Sequence, residues 1–145
     1  MSELTSAAVP RVGPDDHVRG DGEPLIVYAD LGCAHCAASW PEIAGREAAI
    51  AFRHFPLASK HPRSPALHAA VEAAGKQGRF FELVDSLYAD RSHVDDPHLW
   101  ARVEQLGLDL DRFEGDRRSE EVADRVRRDF ESGIRAGVTG TPALF

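Results

Sequence analysis

Hydrophobic and polar residues alternate with different periods along the first third of the chain. Residues 25–29 (LIVYA) form an apolar run with β-branched and aromatic members, which predicts a buried central strand. Residues 50–55 (IAFRHF) alternate between apolar and polar positions, which predicts a second strand. Between them, an alanine-rich stretch from Cys33 to about Arg46 predicts a helix that Pro41 should kink. A strand, helix, strand unit of this kind joins parallel strands.

The middle of the chain has helical periodicity. Ser64 followed by Pro65 predicts an N-cap with proline at the first helical position. Amphipathic stretches follow from about residues 80, 97 and 109, and a last long helix is expected over residues 119–136. Its apolar face is formed by Val122, Val126, Phe130 and Ile134. A glycine-rich turn from residue 137 then leads into a final strand that reaches residue 145.

Composition and charge exclude some classes of function. The 145 residues are 43% hydrophobic and 28% charged, which is typical of one globular domain. The net charge is −7 and basic residues are interspersed with acids, so we expect no nucleic-acid partner. No apolar run approaches the roughly 18 residues of a membrane span, so we expect no membrane partner either. Residues 1–24 lack the pattern of a secretory signal, and a cytoplasmic location is expected.

The chain has two cysteines, Cys33 and Cys36. The loop between them is too short for a disulfide that stabilises the fold, which leaves redox exchange, half of a metal site, or no chemistry. A strand before the pair and a helix after it favour redox exchange. At the helix start, free backbone N–H groups and the helix dipole should lower the pKa of Cys33. We therefore expect Cys33 to be the nucleophile, Cys36 the resolving thiol, and His35 a group that makes the pair more oxidising.

A zinc site is the alternative use of the two cysteines. It would need two further ligands, and three histidines are evenly spaced at His54, His61 and His68. They are predicted on a strand, a loop and a helix, so we expect them to be solvated or hydrogen-bonded rather than ligands. No metal or organic cofactor is expected, because a disulfide itself carries two electrons.

Four segments resemble, in order, the DsbA-like thioredoxin family. They are residues 13–20 (GPDDHVRG), 30–36 (DLGCAHC), 52–57 (FRHFPL) and 137–142 (GVTGTP). The likeness extends over about residues 13–145 and is greatest to bacterial members that stand alone or are fused behind sodium/proton antiporters. The thiol motif and the Thr-Pro motif are specific only in combination.

The resemblance implies an α/β protein with a thioredoxin fold and an inserted all-helical domain. It places the thioredoxin core at residues 25–59 and 131–145, and the inserted helical domain at residues 60–130. Residues 1–24 are then a partly disordered N-terminal lead-in. Relatives continue past the Thr-Pro strand into another strand and a helix, so we expect the C-terminal part of the core to be truncated in this chain.

The same resemblance implies a substrate-binding element and two departures from the family pattern. Pro142 should be cis and face the disulfide, with the Thr141 backbone pairing with an extended substrate. The residue after the first cysteine is often proline in the family but is Ala34 here. Many relatives carry a buried acid six residues before the first cysteine, where this chain has Val27. That acid would accept the proton of the resolving thiol, Cys36.

Two functional hypotheses follow. The first is a thiol–disulfide oxidoreductase that acts on protein or peptide thiols through its C-A-H-C motif, with a hydrophobic landing surface around Ala34, Ala37 and Val138. In a reducing cytoplasm such a pair would rest mostly reduced. The second is a non-catalytic binding or redox-sensor module on the same scaffold, which the absent acid favours.

Overall fold

Strands and helices alternate at the start of the chain, and helices fill its middle. The computed structural model describes residues 8–145, so the part of the predicted lead-in at residues 1–7 lies outside the described residues. The elements are β1 (His17–Arg19), β2 (Pro24–Ala29), α1 (Ala34–Ala44), β3 (Ala49–His54), α2 (Ser64–Gly75), α3 (Phe80–Ala89), α4 (Asp96–Gln105), α5 (Leu110–Arg117), α6 (Glu120–Arg135) and β4 (Ala143–Leu144). None of these helices has the length and hydrophobicity needed to cross a bilayer.

The strands form one mixed sheet in the order β1, β3, β2, β4. The central strands β2 and β3 are parallel and α1 connects them, which confirms the predicted strand, helix, strand unit. Both outer strands are antiparallel to their neighbours, and β4 pairs with β2 through Val27↔Leu144 and Tyr28↔Ala143. The helices α2 to α6 lie between β3 and β4 in sequence, so the protein is an α/β fold with a helical insertion.

Both faces of the sheet are covered. Val27 and Phe52 pack on one face with Trp40 of α1 and the apolar residues of the inserted helices. On the other face, Tyr28 and Phe55 pack with neighbours that include Val138. The alternation along residues 50–55 predicted a strand, and the polar positions of this strand are buried rather than exposed. Arg53 and His54 are both buried and hydrogen-bonded, because helices and the lead-in close over this strand.

The buried face of α6 differs from the predicted one. Ile134 was expected to face the core but is 53% exposed, whereas Asp129 and Gly133 are buried. A Cβ atom on Gly133 would lie 2.7 Å from the ring of Phe55, so the absent side chain allows helix and sheet to approach closely. A polar side chain can occupy this face because an oxygen of Asp129 accepts the backbone N–H of His54 at 3.1 Å. α6 runs from Glu120 to Arg135 without a break. The boundary at residue 130 between the inserted helical domain and the thioredoxin core stays a prediction.

The described part of the lead-in is attached to the sheet by a buried ion pair. Both carboxylate oxygens of Asp16 accept from the guanidinium of Arg53 at 3.0 Å. The same guanidinium donates to the hydroxyl of Tyr28 and the carbonyl of Arg11, each at 3.2 Å. This contact raises the pKa of Arg53 against the opposing effect of burial, and the side chains are only 4% and 8% exposed.

Candidate active site

The two thiols lie at the start of α1. Cys33 is the N-cap residue of this helix, with extended backbone angles of φ −90° and ψ 124°. Its Sγ accepts the backbone N–H of Cys36 at 3.5 Å, as the side chain of an N-cap residue does. Both cysteines are free thiols, 9% exposed at Cys33 and 2% at Cys36. Sequence analysis predicted this placement, since a cysteine between a strand and a helix falls at the cap.

The surroundings of the two thiols shift their pKa values in opposite directions. Burial raises the pKa of Cys33, but the backbone N–H groups of Cys36 and His35 and the nearby side chain of Thr141 favour the thiolate and outweigh burial, so the net pKa lies below 9.0. Burial raises the pKa of Cys36 to about 12, and the proximity of Cys33 adds to the increase. One sulfur is therefore favoured as a thiolate while the other keeps its proton.

The last turn of the chain brings Thr141 and Pro142 next to the thiols. The peptide bond between them is cis. The Sγ of Cys33 donates to the carbonyl of Thr141 at 3.9 Å. The Thr141 hydroxyl is buried without a hydrogen-bond partner among residues 8–145, and the same side chain lowers the pKa of both thiols. This hydroxyl is thus free to donate to a sulfur anion.

The residues between the cysteines are exposed, and one expected surface residue is not. Ala34 and His35 face solvent, and the contribution of His35 to the pKa of Cys33 comes from its backbone N–H. Among the described residues, the imidazole of His35 makes no hydrogen bond to either sulfur. Val138, predicted as part of the landing surface, is only 5% exposed, because it packs in the second core cluster beneath the sheet.

Asp30 fixes the loop that precedes the nucleophile, a role that sequence analysis missed. Its side chain is fully buried and accepts the backbone N–H of Gly32 at 2.9 Å and of Leu57 at 3.0 Å. It also accepts the hydroxyl of Ser64 at 2.5 Å. Burial raises the pKa of Asp30, but these bonds and His68 outweigh it and hold the pKa at about 2.

Ser64 was predicted to be the N-cap of α2, but this prediction is wrong. Arg63 occupies the cap position without a side-chain hydrogen bond, and Ser64 is the first helical residue. Its hydroxyl instead donates to the carboxylate of Asp30, a charge-assisted hydrogen bond.

The acidity of Asp30 makes the fold sensitive to acid. Its pKa falls from 3.8 to about 2 on folding, so the unfolded chain binds more protons between these values. We expect the free energy of unfolding to fall by about 2 kcal/mol from this group as the pH drops from 4 to 2. Urea unfolding of the wild type and of Asp30→Asn at each pH measures it. An acid dependence in this window that is equally steep in both proteins would contradict the assignment.

Tyr88 is a second residue that sequence analysis did not place at the site. Its hydroxyl donates to the backbone carbonyl of Asp30 at 2.9 Å, and the backbone N–H of Asp30 lies 3.5 Å from the Sγ of Cys36. Burial raises the pKa of Tyr88 well above 10.0, and negative charge on Cys36 or Asp30 raises it further. The hydroxyl therefore stays protonated. Its position in an amphipathic helix pattern indicated only an apolar core residue.

Two of the three evenly spaced histidines meet in the interior. Nδ1 of His54 lies 2.7 Å from Nδ1 of His68, and both side chains are fully buried. Nε2 of His68 accepts the backbone N–H of Leu31 at 2.9 Å, and burial lowers the pKa of His68 to about 4. His61 lies in the loop before α2. Within residues 8–145, neither sulfur belongs to a group of three possible metal ligands.

Comparison with known proteins identifies the family of this chain. Residues 24–145 match the family model described as a DSBA-like thioredoxin domain. A protein named Na(+)/H(+) antiporter NhaA from Herminiimonas arsenicoxydans is 34% identical over 99% of this chain and 24% of its own length. Na(+)/H(+) antiporter NhaA 1 from Salinispora arenicola is 36% identical over 92% of this chain and 22% of its own length. The chain thus spans about a quarter of the curated relatives that it matches.

Solved structures share the fold. Wolbachia pipientis alpha-DsbA1 superposes with a TM-score of 0.79 at 24% identity, over 92% of this chain and 75% of that one. Pseudomonas aeruginosa DsbA2 gives 0.73 at 24% identity, over 92% and 81% of the two chains. At this identity the likeness is one of architecture, a thioredoxin fold with a helical insertion.

Proposed function

This chain belongs to the DSBA-like thioredoxin family, and we propose that it is a thiol–disulfide oxidoreductase acting on protein or peptide thiols. The observation that carries the proposal is the position of Cys33 at the N-cap of α1, where its sulfur accepts a backbone N–H, with Cys36 buried behind it. Cys33 is favoured as an anion at a helix start, and Cys36 stays protonated behind it. A pair divided in this way provides one attacking sulfur and one resolving sulfur.

The exchange follows from these two states. When the pair is oxidised, a substrate thiolate attacks Sγ of Cys33 and forms a mixed disulfide, while Sγ of Cys36 leaves and takes up a proton. A second substrate thiolate then attacks the substrate sulfur of the mixed disulfide and releases Cys33 as a thiolate. Two electrons pass from the substrate to the pair. With the pair reduced, the same steps run backwards and reduce a substrate disulfide.

The surrounding residues take supporting roles in this proposal. Thr141 and Pro142 position an extended substrate beside Cys33, and the Thr141 hydroxyl and the backbone N–H groups stabilise the sulfur anion. The exposed imidazole of His35 favours the reduced state through its charge when protonated. We propose the cytoplasm as the compartment and disulfide reduction as the prevailing direction there.

The acidity of Cys33 can be tested without a substrate. In a Cys36→Ser variant, we expect the rate of alkylation by iodoacetamide to rise with a midpoint below pH 9.0, because the thiolate is the reacting form. In the matched Cys33→Ser variant, the midpoint for Cys36 should lie at a higher pH, because burial still raises the pKa of this thiol although the effect of Cys33 is lost. Similar midpoints for the two variants would contradict the proposed division of roles.

A redox sensor or binding module is the second candidate. It is favoured by Val27, which is fully buried where many relatives carry the proton acceptor for the resolving thiol, and by the high pKa of Cys36. A sensor needs one slow, reversible oxidation, whereas an oxidoreductase needs repeated turnover. Multiple-turnover kinetics with a disulfide substrate therefore separate the two candidates.

A further inference from the structure

A group of three metal-ligating side chains lies away from the thiols, between β1, β3 and α2. Oε2 of Glu72 is 2.5 Å from Nε2 of His17 and 2.7 Å from Nε2 of His54. All three ligand atoms lie within 4.8 Å of one another. We infer that His17, His54 and Glu72 form a binding site for a transition-metal dication of the zinc class. The inference is independent of the proposed thiol chemistry.

The donor set suits such an ion. Two imidazole nitrogens and one carboxylate oxygen are a combination that zinc accepts, with a fourth position open to water. Bonds of about 2.0–2.2 Å place tetrahedral ligand atoms about 3.3–3.5 Å apart. The carboxylate of Glu72 must therefore retreat by less than about 1 Å to admit the ion. His17 belongs to the edge strand β1 and its side chain is 23% exposed, which gives the ion a path from solvent.

The charge balance of this interior favours a cation. Asp30 and Glu72 are both buried, and within residues 8–145 neither carboxylate has a lysine or arginine nitrogen within 4.0 Å. Within that distance their basic partners are histidines only, and His68 is neutral because burial holds its pKa at about 4. By contrast, the other buried acid, Asp129, pairs with Arg125, and the carboxylate of Asp16, which is only 8% exposed, pairs with Arg53. A dication at Glu72 would supply the positive charge that this region lacks.

The hydrogen bonds behind His54 connect this site to the redox loop. The backbone N–H of Leu31 can only donate, so Nε2 of His68 accepts and a neutral His68 carries its proton on Nδ1. His68 then donates to Nδ1 of His54, whose own proton is on Nε2, facing Glu72. Without metal, each of these hydrogen bonds is thus donated in the direction from Leu31 through the two histidines to Glu72.

Metal binding reverses the donor direction of the hydrogen bond between His54 and His68. The ion needs the lone pair of Nε2 on His54, so the proton of this ring moves to Nδ1 and donates to His68. His68 then carries its proton on Nε2, where Oδ1 of Asp30 lies 3.6 Å away as an acceptor. The N–H of Leu31, two residues before Cys33, loses its acceptor. Occupancy of the metal site therefore changes the environment of the redox loop without contact between metal and sulfur.

The experiment uses the full chain with Cys33→Ser and Cys36→Ser, so that thiolates cannot bind the metal. Titration with Zn²⁺ by calorimetry should give one ion per chain, and binding should weaken tenfold or more in a His17→Gln variant. His98→Ala is the matched control. It disrupts an exposed pair, His93 and His98, whose ring centroids are 4.6 Å apart. Binding should be unchanged in this control.

A second readout does not depend on the His17 variant. Co²⁺ added to the thiol-free chain should broaden the amide signals of Gly75 and Phe80, which lie against the ring of His17. Zn²⁺ should shift the amide signal of Leu31. No binding, binding of equal strength in a folded His17→Gln variant, loss of binding in His98→Ala, or broadening confined to the surface pair would each overturn the inference.

Discussion

Replacing Cys33 by serine should reduce disulfide turnover to the rate measured without protein. The sulfur of Cys33 is the only one of the pair that its surroundings favour as an anion, and a serine hydroxyl is not ionised at neutral pH. The measurement is the steady-state reduction of a peptide disulfide, with a thiol as the final electron donor. Turnover by Cys33→Ser equal to that of the wild type would leave only the binding or sensor role.

The Cys36→Ser variant is the matched partner of that experiment. Cys33 keeps its N-cap position and the backbone N–H that its sulfur accepts, so the first attack should still occur. Without the resolving thiol, the mixed disulfide should accumulate and be visible by mass spectrometry. With no added thiol present, each reduced wild-type chain should release both halves of the peptide disulfide, whereas Cys36→Ser should release only one half and retain the other on Cys33. Release of both halves by the variant would contradict the role of Cys36.

Removal of the buried acid from the lead-in should have the largest effect on stability. In Asp16→Ala, the guanidinium of Arg53 stays buried without its carboxylate, and an unpaired buried charge costs about 3–5 kcal/mol. The free energy of unfolding in urea should fall by that amount. Asp15→Ala is the neighbouring control, since the Asp15 side chain is 79% exposed and 3.6 Å from Arg128 at the surface. Its unfolding midpoint should not change measurably.

A double variant distinguishes the effect of the unpaired buried charge from a general destabilisation of the lead-in. In Asp16→Ala with Arg53→Met neither charge of this pair remains, so the double variant should be more stable than Asp16→Ala alone. Equal stabilities of the single and double variants would mean that the charge of Arg53 reaches water, and the explanation from an uncompensated buried charge would be wrong.

The parts of the fold that depend on local pattern were predictable from the sequence. The order of strands and helices, the parallel pairing of β2 and β3, and the place of Cys33 at the helix start all follow from hydrophobic period and spacing. The family match at residues 24–145 agrees with the resemblance carried by four short segments. These features need only neighbours in sequence, or the simplest crossover between two strands.

The parts that depend on packing were not predictable. Asp30 and Ser64 meet across 34 residues, and His54 and His68 meet across 14, because α2 lies against the sheet at one particular rotation. Their side chains carry no periodic signal, and each has a local role that a sequence suggests first. Ser64 suggested a helix cap. Ile134 was misplaced for a similar reason, since Asp129 occupies the buried face that hydrophobicity assigned to apolar residues.

The bond between Ser64 and Asp30 has a consequence for protein engineering. The first residue of α2 donates to the loop before the nucleophile, and His68 holds the same loop from the next turn of that helix. A chimera that exchanges the helices alone would remove one of the hydrogen-bond donors to the buried carboxylate of Asp30 and the acceptor of the backbone N–H of Leu31. Functional grafts between relatives will need to transfer the loop and the first two turns of α2 as one unit.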